Sequence, residues 1–212
     1  MTASVATIPN ERGAVSAGLP LALLEAVRAH DRPGEILEDE DLTVSLPRRL
    51  GLTGVILSQI QRYEEAHAAG KKVPVADLTN LMQLVLRRPD AEAILRDTGR
   101  RVTRFRYERL PRLSAILLRL WPRSLAFIPI RRAALGLMRG IAGEGQPRVD
   151  GRPLVVHLAG SPAARLHPLA CVMYTGALEE LVVLYGGQTQ AVQHSRCVGR
   201  GDDVCEWRTA GD

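Results

Sequence analysis

The hydrophobic period of this chain changes once, near Gly145, and that change constrains the fold more than any other feature. Before it, apolar residues recur at three- and four-residue intervals, the pattern of a helix with one buried stripe. After it, short extended runs alternate with turn residues around a single further helical segment. Such a chain is predicted to be α+β, with a helical N-terminal part followed by a small antiparallel sheet packed with helices. Aromatic residues are only 4% of the 212, so its core must be built mainly from Leu, Val, Ile and Ala.

The helical part divides at its breakers. Residues 1–18 read as a flexible tail of small residues, and residues 19–107 as a helical N-terminal region. A first helix runs from Leu19 to Ala29 and stops at the DRPGE turn. Leu52, Val55, Ile56, Ile60 and Tyr63 mark a second, closed at Gly70. Leu78, Leu81, Met82 and Val85 mark a third, with Asp77 as N-cap and Pro89 as its break. The segment AEAILRDTGRRVTRF continues as helix, with Gly99 as a weak point. Two more amphipathic stretches follow: Leu113 to Trp121, and Ile130 to Ile141 after Pro129.

Beyond Gly145, Asp150-Gly151 is a turn signal between two extended runs. A helix is expected over Pro168 to Leu184, ended by Gly186-Gly187. The segment TQAVQHSRC then reads as a strand whose hairpin partner is DVCEWRT, joined through GRGDD.

Charge is uneven. Arg100 to Arg139 holds eleven arginines and one acid, Glu108, while EILEDED at 35–41 is acidic. A basic stretch can attract nucleic acid, anionic lipid or an acidic partner, and it can equally be the solvated face of amphipathic helices. Nucleic acid is disfavoured because no helix-turn-helix stands out; a membrane-surface role for the helices at 112–141 stays open. The N-terminus lacks the basic start and apolar segment of an export signal, and three cysteines make no disulfide framework. Reduced thiols in a cytoplasmic protein are therefore expected. No nucleophile elbow, phosphate loop, HExxH or dinucleotide fingerprint is present, and Glu179-Glu180 is a weak candidate for a catalytic pair, so a binding protein is favoured over an enzyme.

The three thiols are Cys171, Cys197 and Cys205, with His194 three residues before Cys197. A hairpin turning through Gly199, Gly201 and two aspartates can bring Cys197 and Cys205 side by side. Strict strand alternation aims His194 at the opposite face, so it can join them only through a bend or bulge. Cys171, at the start of the preceding helix, can dock on the same spot. The result would be Cys3His, a closed tetrahedral zinc shell. Three buried, inert cysteines explain the same residues.

The segment 154–208 resembles the 4-vinyl-reductase domain family. The residues that carry the resemblance are Cys171-VMYT-Gly176, then Gly186, then Cys197-VGR-Gly201-Asp202-DV-Cys205-Glu-Trp207. The resemblance implies a ligand-binding domain over residues 108–212, with a fold like those of nitric-oxide signalling and Golgi transport proteins and a homodimeric assembly. It implies structural zinc on Cys171, Cys197 and Cys205, with His194 where the family's phenol-sensing branch has a carboxylate. It also implies a bacterial regulatory protein that binds a small hydrophobic or aromatic ligand and signals through a partner chain. An accessory or reductase-like role in tetrapyrrole and bacteriochlorophyll metabolism, and a dimeric scaffold or membrane-surface adaptor, are the alternatives. Candidate ligand-binding residues are Trp121, Phe127, His157, Met173 and Tyr174, with His167 nearby; core packing is the plainer role for Trp121 and Phe127.

Overall fold

A computed structural model describes residues 13–31, 54–111, 127–143, 145–151, 153–186 and 189–210. In chain order these form β1 (Ala14–Ser16), α1 (Gly18–His30), α2 (Gly54–Ala68), β2 (Lys72–Pro74), α3 (Val75–Val85), α4 (Ala91–Glu108) and α5 (Phe127–Ile141). There follow β3 (Gln146–Asp150), β4 (Val155–Ala159), α6 (Pro162–Leu166), a 3-10 turn (Pro168–Cys171), α7 (Val172–Gly186), β5 (Val192–Arg196) and β6 (Cys205–Thr209). The protein is α+β with small antiparallel sheets.

The core is the crossing of α4 and α7. Both helices are bare at the crossing point. A Cβ on Gly99 would stand 2.6 Å from the Ala177 backbone nitrogen and closer still to the Met173 carbonyl. One on Gly176 would stand 2.9 Å from the Arg96 carbonyl carbon. Glycine at both positions therefore lets backbone meet backbone, at a cost in helix propensity of about 1 kcal/mol each. Gly99 is thus no weak point: α4 runs unbroken through it. Thr103 Oγ1 donates across the crossing to the Ala177 carbonyl, 3.0 Å away. Ion pairs line its rim, Arg96 and Arg100 on Glu179 and Arg104 on Glu180. Pro168–Gly186 is apolar and long enough in composition to cross a bilayer, but over half of it is buried inside this fold, where it is the central helix.

The larger sheet has the strand order β3-β4-β6-β5, all antiparallel. Val149, Val156, Trp207 and His194 stand opposite one another across its four strands, so they share one face. That face packs toward α5 and α7. The other carries Arg148, His157, Glu206 and Arg208.

Several boundaries differ from those the sequence suggests. Residues 14–16, placed in the tail, pair with 72–74 as a two-stranded ribbon, and Val15 is buried. Pro74, not Asp77, caps α3; Asp77 sits in the first turn and accepts from Arg62 at 2.9 Å. Short α6 had no periodic signal. The stretch predicted helical from Leu113 to Trp121 lies outside the described residues, as does the start of the second predicted helix.

Candidate metal centre

Four side chains converge where α7 meets the β5–β6 hairpin. Cys171 ends the 3-10 turn that feeds α7, His194 lies within β5, Cys197 follows that strand, and Cys205 opens β6. Their ligand atoms all lie within 4.8 Å of one another, and all three cysteines are buried and free. The device that admits the histidine is a register shift in β5 between His194 and Arg196. His194 and Cys197 are three positions apart, an odd interval that a regular strand would divide between two faces. The bulge cancels that and turns both inward.

The turn between the cysteines is built from its glycines and one aspartate. Gly201 has φ 100°, the left-handed region that glycine enters without strain. Gly199 passes so close to α6 that a Cβ there would lie 2.6 Å from the Ala164 carbonyl oxygen. Asp202 Oδ2 accepts from the Cys197 backbone N–H at 2.7 Å, and the Val198 N–H donates to Cys205 Sγ at 3.4 Å. Cys197, Gly201, Asp202 and Cys205 thus each have a physical task in the turn.

The histidine is held from behind. Its ring stacks on Trp207 with centroids 4.7 Å apart and planes 10° from parallel. Trp207 is fully buried, donates Nε1–H to Thr175 Oγ1 at 3.1 Å, and meets Tyr174 edge-on at 5.2 Å. Tyr174 in turn shares a 2.9 Å hydrogen bond with Ser161. A rigid aromatic stack therefore sets the imidazole plane, as outer-shell partners do in metal sites.

The donor set fits a metal ion. Cys171 Sγ lies 3.7 Å from Cys197 Sγ and 3.9 Å from Cys205 Sγ. A tetrahedral zinc with bonds of about 2.3 Å sets its sulfurs about 3.8 Å apart, whereas a disulfide needs about 2 Å. His194 Nε2 is the one buried side-chain nitrogen or oxygen without a hydrogen-bond partner among the described residues. It faces the Cys205 thiol, whose pKa it helps to lower, and coordination would give it a partner. The Cys205 thiol is pushed down, chiefly by its hydrogen bond with Cys171 and against the effect of burial. The same bond pushes Cys171 up. Three sulfurs and one imidazole complete a tetrahedron and leave no position for a substrate, the composition of a structural site.

The ligand-binding candidates do not share one place. Met173 and Tyr174 are buried in the core beside the cysteines. His157 is on the opposite face of the sheet, 3.8 Å from Asp150 and 3.7 Å from Glu206. His167 is exposed and its Nδ1 accepts from the Leu169 N–H at 3.1 Å. Phe127 is the half-buried first residue of α5, and Trp121 lies outside the described residues. Glu179 and Glu180 are engaged by arginines of α4.

A cavity of about 290 Å³ lies elsewhere, where α4, α5 and the end of α2 meet next to β1. Val102, Phe105, Leu137 and Ile141 line it with His67, Arg106 and Arg109. None of the candidates named from the sequence is on its wall. It draws residues from four separated segments, and no motif marks it.

No family model and no curated protein matches this chain. Among solved structures it is similar to an H-NOX protein from S. oneidensis, determined in the Fe(II)NO ligation state, with a TM-score of 0.46 and 12% identity. The alignment covers 91% of this chain and 89% of that one. The likeness is too low to carry fold details or function across.

Proposed function

We propose that this is a zinc-stabilised, small-molecule-binding regulatory protein of the 4-vinyl-reductase type, which signals through a partner chain. The observation that carries the reading is the buried Cys3His cluster. Its sulfur spacing suits a tetrahedral ion, and its closed donor set assigns the ion to holding the fold. The ion would tie the start of α7 to the terminal hairpin, so the central helix and the sheet are fixed to each other. Helices packed on one face of a four-stranded antiparallel sheet agree with the ligand-binding fold that the resemblance implies. A cavity beside the same core gives a small molecule somewhere to sit. Three free cysteines without a disulfide partner suit a reducing compartment such as the cytoplasm, the location this reading takes.

The test is a thermal-shift screen of the zinc-loaded protein with phenols, small aromatic acids and amides, and short aliphatic acids and alcohols. A true ligand at a hundred times its Kd stabilises by about 2.7 kcal/mol. For a chain of this size that is a rise of roughly 5–11 °C. Saturable stabilisation by at least one class is expected. A zinc-loaded, folded protein that no compound stabilises would contradict the small-molecule reading and leave the metal site untouched.

A further inference from the structure

The cavity between α4 and α5 has a division of character that identifies what it accepts. Its floor is apolar: Val102, Leu137 and Ile141 are buried, and Phe105 is half-buried beside them. Its rim is cationic, with Arg106 and Arg109 both exposed to solvent.

The two arginines are not equivalent. Arg109 Nη2 donates to the His67 backbone carbonyl, so part of its fork is already occupied. Arg106 has no carboxylate partner among the described residues. That sets it apart on α4, where Arg96 and Arg100 pair with Glu179, Arg101 with Asp97, and Arg104 with Glu180. Its guanidinium lies against bare backbone on α5. A Cβ on Gly136 would be 2.6 Å from Arg106 Nη2, and one on Gly140 would be 3.7 Å from Nη1. His67 adds no charge of its own, because burial and the Arg109 charge lower its pKa.

We propose that this cleft binds a small apolar monocarboxylate, with its hydrocarbon body on Val102, Leu137 and Ile141 and its carboxylate on Arg106. The inference rests on the small-molecule reading and names its ligand class. One unoccupied planar fork suits a single carboxylate, which guanidinium binds through two parallel N–H bonds. A dianionic phosphate would call for more converging donors than one available guanidinium and a half-engaged second. The volume of about 290 Å³ is at the lower edge of ligand pockets, which limits the guest to roughly the size of an aromatic or medium-chain acid.

The experiment titrates zinc-loaded protein with phenylacetate, benzoate and octanoate, and with the matching uncharged amides, by calorimetry. The acids should bind at least tenfold more tightly than their amides, because a charge-assisted bond is at stake. Arg106→Met should weaken the acids about tenfold or more and leave the amides unchanged. Arg106→Lys, which keeps the charge but loses the planar fork, should retain only part of the preference for acids. Arg148→Met removes one positive charge from the far face of the sheet and should change neither series. Methyl resonances of Val102, Leu137 and Ile141 in the wild-type protein should shift on adding phenylacetate, a readout that needs no variant to fold. Equal binding of acids and amides, or equal losses from R106M and R148M, would overturn the assignment while sparing the small-molecule reading. Shifts confined to other methyl groups would do the same. Failure of every acid, amide, phenol and alcohol to bind would sink both.

Discussion

Replacing Gly176 by alanine tests the packing that positions everything else. The new Cβ would stand 2.9 Å from the Arg96 carbonyl carbon and 3.0 Å from its Cα. Carbon atoms rest comfortably at about 3.5–4.0 Å and the Arg96 carbonyl oxygen is nearer still, so α4 and α7 would have to part by about an ångström. No rotamer change relieves the clash, because backbone is the obstacle on both sides. Parting the helices loosens the packing of Ile94, Leu95 and Leu178, which are buried around the crossing. It also stretches the 3.0 Å Thr103–Ala177 bond and the 2.7 Å Arg104–Glu180 pair.

Overpacking a closed core costs typically 1–3 kcal/mol, and this case belongs at the upper end. The helix propensity of alanine over glycine offsets about 1 kcal/mol. The net loss of about 2 kcal/mol corresponds to a fall in Tm of roughly 4–8 °C for a chain of this size. Gly99→Ala should behave alike. Gly140→Ala is the control, since its Cβ would meet only the Arg106 side chain at 3.7 Å, and it should melt at or slightly above wild type. Circular dichroism melts of the zinc-loaded proteins decide it. If G176A and G99A melt with or above G140A, the backbone-to-backbone crossing is not as described.

Two further predictions concern the hairpin. Asp202→Ala leaves the Cys197 N–H without its 2.7 Å acceptor and should cost about 1–3 kcal/mol in denaturant unfolding, whereas Asp203→Ala, at an exposed position, should cost under about 0.5. His194→Ala should lower zinc affinity at least tenfold by competition with a chromogenic chelator, and His194→Asp should recover part of it, because carboxylate is also a zinc ligand; equal affinity in wild type and H194A would remove the imidazole from the shell.

What was legible in the sequence was what depends on local pattern. The helices carrying Leu19, Leu78 and Leu137 show their buried stripe, and the strands around Asp150-Gly151 show their turn. The four candidate ligands were also legible, since cysteines are scarce and the turn between two of them is rich in glycine. The bulge that brings His194 inward was foreseeable only as a requirement, because β5 has no residue that announces it. What escaped depends on partners distant in sequence. Gly99 looks like a flaw in α4 until Gly176 is placed against it. Three-residue β1 and β2 are too short to show alternation, and Lys72-Val73-Pro74 resembles a helix terminator. The arginines of α4 look like one basic surface, yet most are matched to acids on α7 or on α4 itself. Arg106 stands out only after those pairs are known. The cavity residues, from Ser16 to Ile141, have no common motif.

The most direct test of the central claim is metal content, measured by elemental analysis on protein purified without chelator and repeated after chelation. About one zinc per chain is expected, and its removal should lower the melting temperature sharply and loosen α7 from the hairpin, seen as faster amide exchange in both. A metal-free preparation that melts at the same temperature and exchanges no faster would contradict the account.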